Sequence, residues 1–186
     1  MRLRPAWRSR SNTVHLPTAA RHLGALSTAM TPHPSPATLA SADVPAGFAP
    51  VAVGGHFIVA NGPIFMRHDG DRVQFGFRVE PRHANTMGIC HGGMMATFCD
   101  MVLPLTAHWR VREISRRFLP TVSLQIDYLA PSPLGAWVQG EADVLRTTRT
   151  MVFAQGLVTA DGVPVARTSG IMKIGPPFSG ADEAAG

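Results

Sequence analysis

The segment from Gly92 to Trp109 constrains this chain more than any other. Its one formal charge is Asp100, and most of its other residues are apolar or small. A lone carboxylate in such surroundings is costly to bury unless it is paired, hydrogen-bonded or neutralised. Two glycines, Gly92 and Gly93, open the segment. We therefore expect a single helix that the rest of the chain encloses on nearly all sides.

The same segment is about as long as a transmembrane helix. Thr97, Asp100 and Thr106 interrupt its apolar character, and strand-like sequence follows it. We therefore predict a helix inside a folded domain and no membrane span. Pro104 lacks a backbone N–H donor, so we expect the helix to kink or end near Leu103.

Apolar residues at every second position from 73 to 79 and from 122 to 128 alternate with polar or small residues that begin at Arg72 and Thr121, which predicts two half-buried strands. Further strand patterns cover 136–144, 151–160 and 163–174. Phe57–Ala60 and Ile64–Arg67 are interpreted as a strand pair or one bent strand. An opening hairpin, one helix and then a run of strands predict an α+β domain whose antiparallel sheet wraps around the helix.

The composition divides the chain into a domain and two tails. Residues 1–45 are rich in Arg, Ser, Thr, Ala and Pro and are expected to be disordered or loosely packed. They also resemble an organellar transit peptide, although a start at Met30 or a plain extension is favoured. Residues 46–175 form the predicted domain and 176–186 a tail. The net charge of +5 equals the five arginines of the first 42 residues, so it predicts no nucleic-acid binding by the domain.

Two cysteines, Cys90 and Cys99, are too few for a disulfide framework or a zinc pattern. We interpret them as small buried thiols in a reducing, cytoplasmic protein. The alternative is an organellar location, if residues 1–45 are a transit peptide. His83 and His91 have no third ligand at metal-binding spacing, so no metal site is predicted.

The residues around the start of the helix resemble the signature of the hotdog-fold thioesterases, in particular the phenylacetate-pathway and acyl-CoA thioesterase branch. The signature is His-x-Asn-x-x-Gly-x-x-His-Gly-Gly, with an aspartate seven residues after the last glycine. This chain keeps every spacing, with His83, Asn85, Gly88, His91, Gly92, Gly93 and Asp100. The strand that begins at Thr121 and ends at Pro131 resembles the strand after the family's helix.

The resemblance, which covers roughly residues 50–175, implies a hotdog fold, a curved antiparallel sheet around one long helix. It further implies dimers or dimers of dimers, and hydrolysis of a coenzyme A thioester. No cofactor is implied, because coenzyme A is part of the substrate. Two other readings stay open: a hotdog module that binds an acyl-CoA without turnover, and a hotdog dehydratase acting on a hydroxyacyl thioester. Pro104 and the long N-terminal extension depart from the family pattern.

Thioester hydrolysis needs a group that polarises the carbonyl and a base or nucleophile. The N–H groups at the start of the helix, at Gly92, and the amide of Asn85 are candidates for the first role, with a turn residue as the alternative for Asn85. Gly92 and Gly93 lack the side chains that would keep a substrate carbonyl away from the helix start. Asp100 is the candidate general base or nucleophile.

Other residues have weaker assignments. His91 is expected to cap the helix and orient the loop at the substrate rather than act as a base. Thr121 is a candidate partner of Asp100 or of the attacking water, with an ordinary strand threonine as the alternative. Arg146 and Arg149 are placed in a hairpin turn, where they could meet the phosphates of coenzyme A, although solvated turn charges are commoner.

Gly92 and Asp100 are eight residues apart, which is about 12 Å along a helix. One thioester carbon cannot lie within about 3 Å of both. We therefore expect a homodimer with shared active sites, in which Asn85 and Gly92 come from one chain and Asp100 from the other.

Overall fold

The computed structural model of the protein describes residues 44–51 and 55–178. Residues 1–43 and 179–186 lie outside that range, and with them nearly all of the predicted N-terminal extension and most of the predicted tail. No helix among the described residues has the length and apolar character needed to cross a bilayer.

Two α-helices and seven β-strands make up the regular structure of the described residues. In chain order they are β1 (Ala49–Pro50), α1 (Gly55–Asn61), β2 (Phe65–Asp69), β3 (Arg72–Arg78), α2 (Gly92–Arg110), β4 (Thr121–Tyr128), β5 (Trp137–Thr147), β6 (Met151–Ala160) and β7 (Val163–Lys173). Short 3-10 helices lie at Pro81–His83 and Arg112–Ile114.

All seven strands form one antiparallel sheet in the order β1-β2-β3-β5-β6-β7-β4. The sheet curves around α2, which contacts strands β3 to β7. This architecture is the predicted hotdog fold, and the predicted α+β class is confirmed. The strand that follows α2 in the chain, β4, is placed at the edge of the sheet, next to β7. Because of this edge position, β4 is the strand that reaches the start of α2.

The core lies between α2 and the inner face of the sheet. Phe98 and Val102 are fully buried, and the ring of Phe98 lies 4.9 Å from that of Phe77. A methyl group on Gly140 would lie 3.0 Å from both Phe98 and Val102. The strand therefore needs a glycine at this position so that the helix can approach closely.

The first predicted strand is wrong, because residues 55–61 form helix α1. Only Ile58 of this helix is buried, and the side chain of Asn61 donates a hydrogen bond to the carbonyl of Phe57, 2.8 Å away. One buried residue in seven suits a short surface helix of about two turns better than a paired strand. Phe57 and Val59, whose bulk suggested a strand, are exposed. The second half of the predicted pair agrees with β2.

Of the kink or end predicted for the central helix near Leu103, the end does not occur. The helix continues through Pro104 to Arg110. Pro104 cannot donate to the carbonyl of Asp100, but Thr106 and Ala107 beyond it are buried in the core. Burial of this second half of the helix offsets the missing hydrogen bond.

Three other boundaries differ in detail from those predicted. Strand β5 continues to Thr147, so Arg146 lies in the strand and only Arg149 in the turn. The domain continues past residue 175, because the carbonyl of Pro176 accepts from Phe118 and the N–H of Phe178 donates to Arg116. The strand predicted at 163–174 ends one residue earlier, at Lys173.

Replacing Phe98 by alanine is expected to lower the free energy of unfolding by about 3–5 kcal/mol, because it leaves a cavity between helix and sheet. Phe57→Ala is the matched control, since its side chain is 63% exposed, and should change stability by less than about 0.5 kcal/mol. Urea denaturation of both variants measures the difference. Equal losses would contradict the assignment of the core.

Candidate functional site

The loop before α2 is anchored on His83, whose side chain is buried. Its Nε2 lies 2.9 Å from the carbonyl oxygen of Asn61, and its main-chain carbonyl accepts from the N–H of His91 at 2.7 Å. Burial, together with the charge of Arg82, lowers the pKa of His83 below its ordinary value. A neutral buried imidazole of this kind holds the loop in place and is unsuited to contact a substrate.

Asn85 shapes the loop with its side-chain oxygen. Oδ1 accepts from the N–H groups of Met87 at 2.9 Å and Ile89 at 3.4 Å. Its Nδ2 donates to none of the described residues, so the amide is left free to donate elsewhere. The two readings of Asn85, a turn residue and a carbonyl donor, are therefore compatible, because each uses a different atom.

His91 is the N-cap of α2, as expected. Its Nδ1 accepts from the N–H of Gly93 at 2.8 Å. The N–H groups of Gly92 and Met94 donate to no acceptor among the residues that the structure describes. The cap thus accepts from the N–H of Gly93. The N–H groups at the start of the helix that have no acceptor among the described residues are those of Gly92 and Met94.

A methyl group on Gly93 would lie 3.0 Å from Nδ1 of His91 and 3.3 Å from its Cε1. The capping ring fills that space, and a side chain at position 93 would push it away. On Gly92 the same group would make only an ordinary contact, 3.7 Å from the ring of Tyr128. Thus the second glycine accommodates the cap, and the first keeps the helix start open.

Tyr128 also belongs to this site, and the sequence reading missed that role. Its hydroxyl donates to the carbonyl of Gly92 at 2.9 Å. The alternation of β4 identified Tyr128 only as a member of its apolar face. Its place as the single tyrosine of the chain, just before the Pro131 turn, was the one available clue. Only the position of the edge strand brings Tyr128 to the start of the helix.

Asp100 lies on the same helix and bonds to the other end of the edge strand. Its Oδ1 accepts a hydrogen bond of 2.6 Å from the hydroxyl of Thr121. The described residues provide no ion pair to this carboxylate. Asp100 is half-buried in the single chain. Its Oδ1 is held by a neutral donor, and its Oδ2 accepts a hydrogen bond from none of the described residues.

An irregularity in β4 directs Thr121 towards the helix. Thr121 pairs with Met172 and Ser123 with Ile171, which leaves Val122 as an extra residue, a β-bulge. Met172 is fully buried and faces the helix, and its partner Thr121 faces the same way. The bulge also turns Val122 outwards, where it is 58% exposed.

The structure therefore groups predicted residues, together with Tyr128, into two half-sites. One comprises the open start of α2, with Asn85, His91, Gly92 and Tyr128. The other is the Asp100–Thr121 pair. The continuous helix separates Gly92 from Asp100 by about 12 Å along its axis.

The two predicted arginines join neither half-site within the chain. Arg146 follows a bulge in β5 and is exposed. Arg149 lines a surface cavity together with Glu113 and Arg117, which follow the far end of α2. A role for these arginines in substrate binding stays a prediction.

The cysteines are placed as expected, buried and unpaired. Burial raises the pKa of Cys90 to about 11 and that of Cys99 to about 12. Both thiols are therefore protonated near neutral pH and are poor nucleophiles. Within the described residues, no group of three or more His, Cys, Asp or Glu side chains could hold a metal ion.

Comparison with known proteins relates the chain to thioester-cleaving enzymes. The family model of the thioesterase superfamily matches residues 87–166. A Pseudomonas aeruginosa protein, provisionally named as an esterase, is 28% identical over 133 residues, which cover 71% of this chain and 98% of that protein. Human acyl-coenzyme A thioesterase 13 is 32% identical over 78 residues, which cover 41% of this chain and 52% of the human protein.

Solved structures share the fold. Zebrafish thioesterase superfamily member 2 has a TM-score of 0.56 at 24% identity, over 67% of this chain and 88% of that one. A mutant of the phenylacetic acid degradation protein of Thermus thermophilus has a TM-score of 0.54 at 23% identity, over 63% and 97%. A hypothetical thioesterase of Streptococcus pneumoniae, solved with coenzyme A, has a TM-score of 0.53 at 20% identity, over 62% and 88%.

The two roles of Asn85 can be separated by substitution. Asn85→Ala removes the acceptor for two loop N–H groups and should lower the free energy of unfolding by about 1–2 kcal/mol. Asn85→Asp keeps an acceptor oxygen and should lose less than half as much, although it removes the free N–H donor. Urea denaturation at neutral pH measures both. An equal loss in the two variants would contradict the assigned loop hydrogen bonds.

Proposed function

We propose that this chain is a hotdog-fold thioesterase of the superfamily whose model matches residues 87–166, and that it hydrolyses an acyl-CoA or aryl-CoA thioester to a free acid and CoA. The observation that carries the proposal is the hydrogen bond between Asp100 and Thr121. It holds one oxygen of the carboxylate with a neutral donor and leaves the other oxygen free to act as a base or nucleophile. The names of the esterase and acyl-coenzyme A thioesterase relatives agree with this chemistry.

The open start of α2 is suited to polarise the thioester carbonyl. The N–H of Gly92 and the free Nδ2 of Asn85 are the proposed donors to the carbonyl oxygen. The positive end of the helix dipole adds to their effect as negative charge develops on that oxygen. Gly93 contributes through its missing side chain and not through its N–H, which is already bonded to His91. Its proposed role is to accommodate the cap.

Asp100 supplies the second half of the chemistry. In one route it takes a proton from water as the water oxygen attacks the carbonyl carbon. The carbon–sulfur bond then breaks, and the CoA thiolate receives a proton. In the other route the carboxylate attacks the carbon, expels the thiolate and forms an anhydride that water cleaves. Thr121 holds Asp100 in position for either route.

The distance between Gly92 and Asp100 leads us to place each active site across a dimer interface. One chain would supply Asn85 and Gly92 to the carbonyl, and its partner would supply Asp100 with Thr121. Strand β4 pairs with β7 along one edge, and along its other edge it pairs with no strand of the described residues. We place the second copy of this chain at that open edge. A dimer of two such sites, or a dimer of dimers, is the proposed assembly.

Arg146 and Arg149 are the proposed contacts for the phosphates of coenzyme A. Both are exposed at the β5–β6 hairpin. There a guanidinium group can donate two parallel hydrogen bonds to the oxygens of a phosphate. Since neither lies beside Gly92 in its own chain, they would serve a site formed with another chain. The two unpaired thiols support a reducing, cytoplasmic setting for the reaction.

Asp100→Asn should reduce kcat by about 10²–10⁴-fold, because the amide cannot accept a proton or attack the carbonyl. Release of free thiol from a panel of CoA esters, from short-chain to phenylacetyl-CoA, measures the activity. Asp143→Asn is the matched control, since Asp143 is an exposed carboxylate on β5, and should leave kcat unchanged. If the wild-type protein binds these esters but releases no thiol from any of them, the chain is a binding module.

Co-expression of Asn85→Ala and Asp100→Ala chains tests the shared site. Random pairing makes about half of the dimers mixed, and each mixed dimer would hold one intact site, so about a quarter of the wild-type activity should return. Each variant expressed alone serves as the control. Mixed dimers as inactive as the single variants would show that each chain builds its own site.

A further inference from the structure

We propose that Tyr128 is a positioning residue that acts on His91 through the peptide bond between Gly92 and Gly93. This proposal rests on the function proposed above. It concerns how the start of α2 is prepared to meet a substrate, and it assigns a role to a side chain that the helix motif does not contain.

The three groups form one continuous chain of hydrogen bonds. The hydroxyl of Tyr128 donates to the carbonyl oxygen of Gly92 at 2.9 Å. The N–H of the same peptide group, which belongs to Gly93, donates to Nδ1 of His91 at 2.8 Å. A hydrogen bond to a peptide oxygen polarises the group and strengthens donation by its N–H, so the two bonds support each other.

The chain determines which nitrogen of His91 carries the proton. Because Nδ1 accepts from Gly93, the neutral ring must hold its proton on Nε2. The described residues offer no acceptor to Nε2, and the ring is exposed at the start of the helix. His91 is therefore prepared to present an N–H donor beside the open N–H of Gly92, where the substrate carbonyl is proposed to bind.

Tyr128 is suited to this role and contributes little to the core. It is 56% exposed and ends the edge strand β4. Its ring lies 3.7–3.8 Å from where a methyl group on Gly92 would be, so it also borders the helix start. Partial desolvation of the hydroxyl raises its pKa above the ordinary value, which keeps it a donor at neutral pH.

The steric surroundings of Gly93 point the same way. A methyl group there would come within 3.0 Å of Nδ1 of His91, so the ring would have to move by a few tenths of an ångström and the second bond of the chain would weaken. Gly93→Ala is therefore expected to imitate Tyr128→Phe by acting at the opposite end of the same peptide group. Gly93→Ala acts on the His91 ring directly, so Tyr128→Phe is the change whose effect on His91 has to pass through the peptide.

The experiment compares wild type, Tyr128→Phe, Gly93→Ala and the double variant. Tyr128→Phe keeps the ring and removes only the hydroxyl. In ¹⁵N-histidine spectra of the free protein, wild-type His91 should hold its proton on Nε2 alone, and both single variants should shift it towards a mixture of tautomers. With thioester substrates, each variant should lower kcat about tenfold and change KM less.

The double variant should lose little more activity than either single one, because the same chain of bonds is already broken. Unchanged His91 spectra in Tyr128→Phe, or losses that multiply in the double variant, would overturn the proposal. The histidine spectra need no substrate. Therefore a failure to find a hydrolysed thioester would count against the proposed function, whereas a failure of the spectra would count against the hydrogen-bond chain.

Discussion

The burial of α2 is the constraint on which the rest of the structure depends. A helix that is apolar on most sides needs a sheet wide enough to curve around it. Strands β3 to β7 form the part of the sheet that contacts the helix. Close approach is possible because Gly140 leaves room for Phe98 and Val102. The same enclosure keeps the helix continuous through Pro104, since the gain from burying its second half exceeds the loss of one hydrogen bond.

The edge strand β4 links this core to the candidate chemistry. At one end Thr121 bonds to Asp100, and at the other Tyr128 bonds to Gly92. A single strand therefore positions both the carboxylate and the helix start, at points about 12 Å apart along the helix. The bulge at Val122 is what turns Thr121 towards the helix, so a local irregularity of the sheet places a side chain at the site.

Periodic patterns predicted most of the fold, and the two clear failures have local causes. The alternation at 73–79 and at 122–128 identified β3 and β4, because half-buried strands place every second residue in the core. Phe57–Ala60 was interpreted as part of a strand pair or of one bent strand, whereas one buried residue, Ile58, is enough for a short helix. Pro104 was expected to kink or end the helix, and the helix does not end there, because the local cost of proline is visible in the sequence and the compensating burial is not.

The sequence by itself determined the helix with its single carboxylate, the two glycines before it and the hotdog resemblance of their spacing. These depend on residue type and on separation along one segment. Only the tertiary structure decided that Thr121 meets Asp100, that Tyr128 reaches Gly92, and that the N–H of Gly93 is taken by His91. Such contacts join residues distant in the chain, or depend on side-chain direction, and both are set by strand order and by a bulge that no local pattern reveals.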